Sequence, residues 1–131
     1  MNLNFKISEL IHSDIAIKNN INNMPDINSL DNMLNLIFYC LQPIRNKINK
    51  PIIISSGFRN SEVNFLAKGK TNSQHLKGQA VDFIIKGMKI EDIIDFVKKS
   101  NIEYDQLINE YDKWVHISYV KGKNRKQILK Y

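Results

Sequence analysis

The stretch Ser73-Gln74-His75-Leu76-Lys77-Gly78-Gln79-Ala80-Val81-Asp82-Phe83 decides how this chain is read. It passes from a polar turn into an apolar strand, Val81 to Ile85, and the strand carries an aspartate in its middle. A carboxylate among apolar side chains is costly unless something positive meets it. Side chains alternate along a strand, so Ala80, Asp82 and Ile84 share one face. A later strand, Trp114 to Val120, places Trp114, His116 and Ser118 on one face and Val115, Ile117 and Tyr119 on the other. If the two strands are neighbours, Asp82 and His116 converge. His75 precedes Asp82 across Gly78, a residue that lets the chain fold back and bring both side chains to one point. Two imidazoles and a carboxylate form a ligand set for zinc with an open fourth position, and the ion's charge then accounts for Asp82. From ligand types alone, His75 also reads as a surface-loop residue and His116 as a satisfied sheet histidine.

The remaining elements follow from periodicity and turn signals. Ile7-Ser8-Glu9-Leu10 starts a short helical or turn segment, and Met24-Pro25-Asp26 is a turn whose Asp26, or the following Ser29, caps a helix. Leu30, Met33, Leu34, Ile37, Phe38, Leu41 and Ile44 recur at helical spacing, which predicts a helix over 28–48 that Pro43 bends near its end. Pro51 to Ser56 reads as a strand, Ser61 as the cap of a short helix from Glu62 to Ala67, and Gly69 to Gly78 as a loop. Ile90, Ile93, Ile94 and Val97 define one apolar face of a helix from Ile90 to Lys99, and Gln106 to Asn109 reads as another strand. The order predicts an α+β fold, one domain over residues 1–131, with a small and mainly antiparallel sheet flanked by helices.

Composition narrows the function classes. The chain has 131 residues, 43% of them hydrophobic, and a net charge of +6. That charge favours anionic partners, a cell-wall polymer among them. No helix carries a dense basic stripe and no strand interleaves aromatics with lysines, so nucleic-acid binding is not expected. The lone cysteine, Cys40, lies in the apolar run Leu36 to Leu41 and reads as a core residue that forms no internal disulfide. No apolar run is long enough to span a membrane, and no signal peptide is visible at the start, so synthesis in the cytoplasm without a leader is expected. Nothing in the pattern calls for an oligomer, and a monomer is expected.

Separated motifs then carry a resemblance. Ser73-x-His75-x-x-Gly78-x-Ala80-x-Asp82 with Trp114-Val115-His116, the upstream Ser56-Gly57-Phe58-Arg59, and the earlier Ser8-Glu9-Leu10, Asn23-Met24-Pro25 and Leu41-Gln42-Pro43-Ile44-Arg45 together resemble the zinc D-Ala-D-Ala carboxypeptidase family. That family includes L-alanyl-D-glutamate endopeptidases, has a small single-domain phage-associated branch, and shares its fold with the hedgehog signalling domain. The resemblance implies that His75, Asp82 and His116 hold Zn2+, that Arg59 binds the substrate carbonyl or carboxylate, and that Ser73 and Trp114 shape the substrate cleft. It implies a peptidoglycan stem peptide as substrate, cut by carboxypeptidase or endopeptidase action. The site of action would be the cell wall, reached after phage-type release as by an endolysin, or in a virion. Many relatives place the general base three positions before the second histidine, where this chain has Lys113. Glu110 and Asp112 remain. In a hairpin turning at Asp112-Lys113, Glu110 comes near the cross-strand partner of His116 and Asp112 sits at the tip facing away, so Glu110 is the expected base. If neither acid serves, the alternative is a zinc-stabilised binding module of the same fold without catalysis.

Overall fold

The computed structural model describes residues 3–131. Two short helices, α1 (Ile7–Ile11) and α2 (Asp14–Lys18), lead to α3 (Ile27–Leu36), a π-helical turn (Ile37–Leu41) and α4 (Gln42–Ile48). These are followed by β1 (Ile53–Ser56), α5 (Ser61–Leu66), a 3-10 turn (Gln74–Lys77), β2 (Ala80–Ile84), α6 (Ile90–Lys99), β3 (Gln106–Glu110), β4 (Trp114–Ser118) and β5 (Gln127–Lys130). The five strands form one sheet in the order β1-β2-β4-β3-β5. All pairings are antiparallel except β3 with β5. The expected α+β class with a mainly antiparallel sheet is what the chain adopts.

The long helix is continuous over the expected span, and Asp26 caps it by accepting a hydrogen bond from the Ser29 amide. Its irregularity lies one turn before Pro43. Gln42 donates back to the Ile37 carbonyl, a π-type bond. Proline brings no amide hydrogen and its ring crowds the carbonyl four residues earlier, so a wider turn there relieves the clash. Asn60, not Ser61, caps α5, because its side-chain oxygen accepts from the Val63 amide at 2.9 Å. The segment expected as a plain loop from Gly69 to Gly78 contains the 3-10 turn that carries His75. Gly78 closes that turn at φ +71°, and a Cβ there would lie 2.4 Å from the Ser29 carbonyl oxygen. Both facts demand glycine.

Alternation along the strands sorts core from cleft. Val81, Phe83, Leu107, Val115 and Ile117 are fully buried on one face, beneath the apolar stripe Ile90, Ile93, Ile94 and Val97 of α6. The other face carries Asp82, Ile108, Glu110, Trp114 and His116 into an open cleft of about 550 Å³. Cys40 is buried in the core, where desolvation pushes its thiol well above the usual range, so it has no nucleophilic character.

The strand β5 was not expected from the sequence. It adds to the β3 edge with Gln127 opposite Gln106 and Lys130 opposite Asn109. Asp105, buried at the start of β3, fastens it by accepting hydrogen bonds from the Arg125 backbone amide, Nε and Nη2 at 2.8–2.9 Å. Hydrogen bonding from the Arg125 side chain, working against burial, lowers the Asp105 carboxyl from 3.8 to about 2. The folded value lies below the unfolded one, so the stabilisation is complete above pH 3.8 and is lost as pH falls through about 2. Asp105→Asn is therefore expected to cost about 1–2 kcal/mol at neutral pH, solvent screening of the half-exposed arginine included. The gap between its urea midpoint and that of the wild type should close as pH is taken down through that interval.

Gly57 ties the first helix to the site. A Cβ on it would lie 2.3 Å from the Leu10 carbonyl oxygen, which accepts the Phe58 amide at 2.7 Å. Both sides of that approach are backbone, so Gly57→Ala is expected to destabilise by about 3 kcal/mol. Urea denaturation measures this, and His75 should lose its place as well, because its Nδ1 lies 2.7 Å from the Gly57 carbonyl oxygen.

Candidate metal centre

β2 and β4 are direct neighbours, and Asp82 faces His116 in register. The 3-10 turn brings His75 to the same point. Ligand atoms of His75, Asp82 and His116 lie within 4.8 Å of one another, and all three residues are buried. This is the group of at least three potential metal-binding side chains found among the described residues.

The geometry fits zinc. Nitrogen and oxygen ligands about 2.0–2.1 Å from a tetrahedral ion are about 3.3 Å apart. Asp82 Oδ1 is 3.4 Å from His75 Nε2 and 3.0 Å from His116 Nδ1. His75 Nδ1 lies 2.7 Å from the Gly57 carbonyl oxygen. A carbonyl only accepts, so Nδ1 carries the proton and Nε2 presents its lone pair toward Asp82. The centre can therefore hold a divalent metal with two imidazoles and one carboxylate.

Asp82 is the electrostatic hub. Burial pushes its carboxyl up, but the close His116 and His75 rings outweigh that, and the net direction is down. Arg59 Nη2 adds a third contact, at 3.6 Å from Asp82 Oδ2. The guanidinium is held from behind, with Nε donating to Ser56 Oγ at 3.2 Å and Nη1 to Asn64 Oδ1 at 3.4 Å. Burial lowers the arginine's pKa, and the negative charges of Asp82 and Glu110 resist that shift. The carboxylate in the strand is thus met from three sides.

Glu110 ends β3 opposite Trp114, one side-chain pair beyond the Ile108–His116 pair. It is therefore diagonal to His116 and on the same face, with Oε1 3.7 Å from His116 Nδ1. Burial and the nearby Asp82 charge raise its pKa, while His116, His75 and Arg59 pull the other way. Asp112 points elsewhere. Its carboxylate accepts from Asn109 Nδ2 at 2.8 Å on the opposite face of the hairpin. The turn centres on Tyr111 and Asp112, both at positive φ, rather than on Asp112-Lys113.

Ser73 and Trp114 both line the cleft. Ser73 Oγ accepts from the His75 amide at 3.2 Å and so caps the turn that carries this histidine. The indole Nε1 of Trp114 is buried without a partner among the described residues. Three further residues matter whose roles no motif assigned. Asn23 is buried and clamps the segment before α3 to the Arg59 loop through the Ile11 and Phe58 carbonyls and the Asn60 amide. Asn64 holds Arg59 and donates to the Lys70 carbonyl. Arg125 reaches the cleft from beyond β4. An asparagine or arginine of this kind has no spacing signature, because its partners lie far away in sequence.

No helix among the described residues is long and apolar enough to cross a membrane. No curated protein matches the chain. The family model described as Peptidase M15 matches residues 3–118, which takes in every motif on which the resemblance was drawn and all three residues of the metal cluster. The chain belongs to the M15 family of zinc peptidases.

Proposed function

We propose that this protein hydrolyses peptide bonds in peptidoglycan stem peptides, with zinc held by His75, Asp82 and His116. The observation that supports this most is the convergence of that ligand set with one free carboxylate, Glu110, and one fixed guanidinium, Arg59, in a single open cleft. A zinc ion there supplies Lewis acidity and brings the pKa of a water it binds down to about 7. Glu110 is placed to take a proton from the attacking water and to return it to the departing amine, a role suited to a carboxylate whose pKa is raised. Arg59 presents a planar fork of donors to the carbonyl oxygen as negative charge develops on it. Ser73 fixes the position of His75, and Trp114 walls the cleft beside Glu110.

The net charge of +6 concentrates such an enzyme on an anionic wall. We place its action there, reached by phage-type release or within a virion. The test is release of new amino termini from purified peptidoglycan. Release is expected from the zinc-loaded protein, should cease after chelation and should return when zinc is restored. A protein that binds one zinc and cleaves no wall preparation would instead be a binding module.

A further inference from the structure

The family match ends at Ser118, the last residue of β4, yet the cleft does not. Residues beyond it lay β5 along β3 and bring Arg125 and Tyr131 into the cleft wall. Arg125 is held there by design of its surroundings rather than by chance of a long side chain. The Asp105 side chain is 2% exposed, and its two oxygens accept four hydrogen bonds, three from Arg125 and one from Gln74 Nε2 at 2.8 Å. A carboxylate that bonds Nε and Nη2 fixes the plane of the guanidinium. Nη1 then has no hydrogen-bond partner among the described residues, and the Arg125 side chain is 57% exposed on the cleft.

Gln74 shares that carboxylate. Its Nε2 must face Asp105, because a carboxylate only accepts. Its Oε1 is consequently turned away from Asp105, and it is buried with no partner among the described residues. Asp105 thus fixes Arg125 with a free donor edge on the cleft, which suits a peptide carboxylate. Asp105 neutralises Arg125 itself, and Lys68 and Lys70 on the same cleft keep the local charge positive.

Resting on the reading above as a peptidase, we propose that Arg125 forms a substrate subsite for a free carboxylate on the peptide. Its position follows from the strand. Asp105, which holds Arg125, lies three residues before Ile108, the partner of His116. That is about 10 Å along the strand from the metal cluster, the span of about three residues of extended peptide. Such a carboxylate occurs either on the α-carbon of a γ-linked D-glutamate or at a peptide C-terminus.

The probes are the synthetic peptide L-Ala-γ-D-Glu-L-Lys, its variant with the glutamate α-carboxylate amidated, and its variant with the C-terminus amidated. Dissociation constants are measured by calorimetry on zinc-loaded protein carrying Glu110→Gln, with and without Arg125→Gln or Arg125→Lys. Amidation at one of the two positions should weaken binding about ten- to a hundredfold, and which position identifies the source. Arg125→Gln should bring the acid-to-amide ratio close to one, and Arg125→Lys should keep part of it. A ratio near one at both positions before Arg125 is changed would overturn the proposal, as would a ratio that survives Arg125→Gln. Absence of wall hydrolysis by the wild type would strike the proposed reaction while leaving these ratios readable.

Discussion

Glu110→Gln is expected to lower peptide hydrolysis by about a thousandfold or more while zinc content stays at the wild-type level. The amide keeps the size of the side chain and the contacts that place it, but it cannot accept a proton. Glu110 lies outside the three-residue cluster, 3.7 Å from His116 Nδ1, so removing its charge leaves the ligand set intact. The control is Asp112→Asn. Asp112 bonds Asn109 on the far face of the hairpin, and its loss is expected to change turnover less than threefold, the range of a minor effect on local stability. Single-turnover rates on a stem peptide, with zinc assayed on the same samples, measure both. A thousandfold loss at Asp112 with a small one at Glu110 would reverse the assignment.

The second large effect is expected at Asp82. Asp82→Asn preserves shape and removes the one negative charge in the cluster. Zinc affinity should fall by at least about a hundredfold, more than the loss of a residue that merely orients a ligand produces. Hydrolysis should fall with it and recover in part at high zinc concentration, which Glu110→Gln should not do. Competition with a chromophoric chelator measures the affinity. The contrast between the two variants separates loss of metal from loss of a proton carrier.

The centre of the molecule was legible in its sequence because two periodicities intersect there. An aspartate out of place in an apolar strand demanded a partner, and the period of two put His116 on the face that could provide it. The π-turn, α6 and the hairpin around Glu110 all trace to residues with strong local signals: Pro43, the Ile90/Ile93/Ile94/Val97 stripe, and the two strands on either side of Tyr111-Asp112. What was not legible depends on distant partners. β5 has only Ile128 and Leu129 as apolar residues, and its place is set by Asp105 and by the exposed edge of β3. The hairpin turn was displaced by one residue because Tyr111 and Asp112 both adopt positive φ without a glycine, a conformation that sequence propensity disfavours. The side chain of Asn109 stabilises that turn by accepting from the Asp112 amide at 2.9 Å, a contact visible only in the folded chain. Asn60 outcompeted Ser61 as a cap because its amide also donates to the Asn23 side chain, which fixes the backbone entering α5.

The claim on which the rest depends is that His75, Asp82 and His116 bind zinc together. Metal content per chain combined with X-ray absorption at the zinc edge tests it most directly. The account predicts one zinc per chain, bound by nitrogen and oxygen at about 2.0–2.1 Å with no sulfur, and loss of that zinc in His75→Ala and in His116→Ala. A chain that takes up no stoichiometric zinc, or one that keeps its zinc when both histidines are replaced, would contradict it.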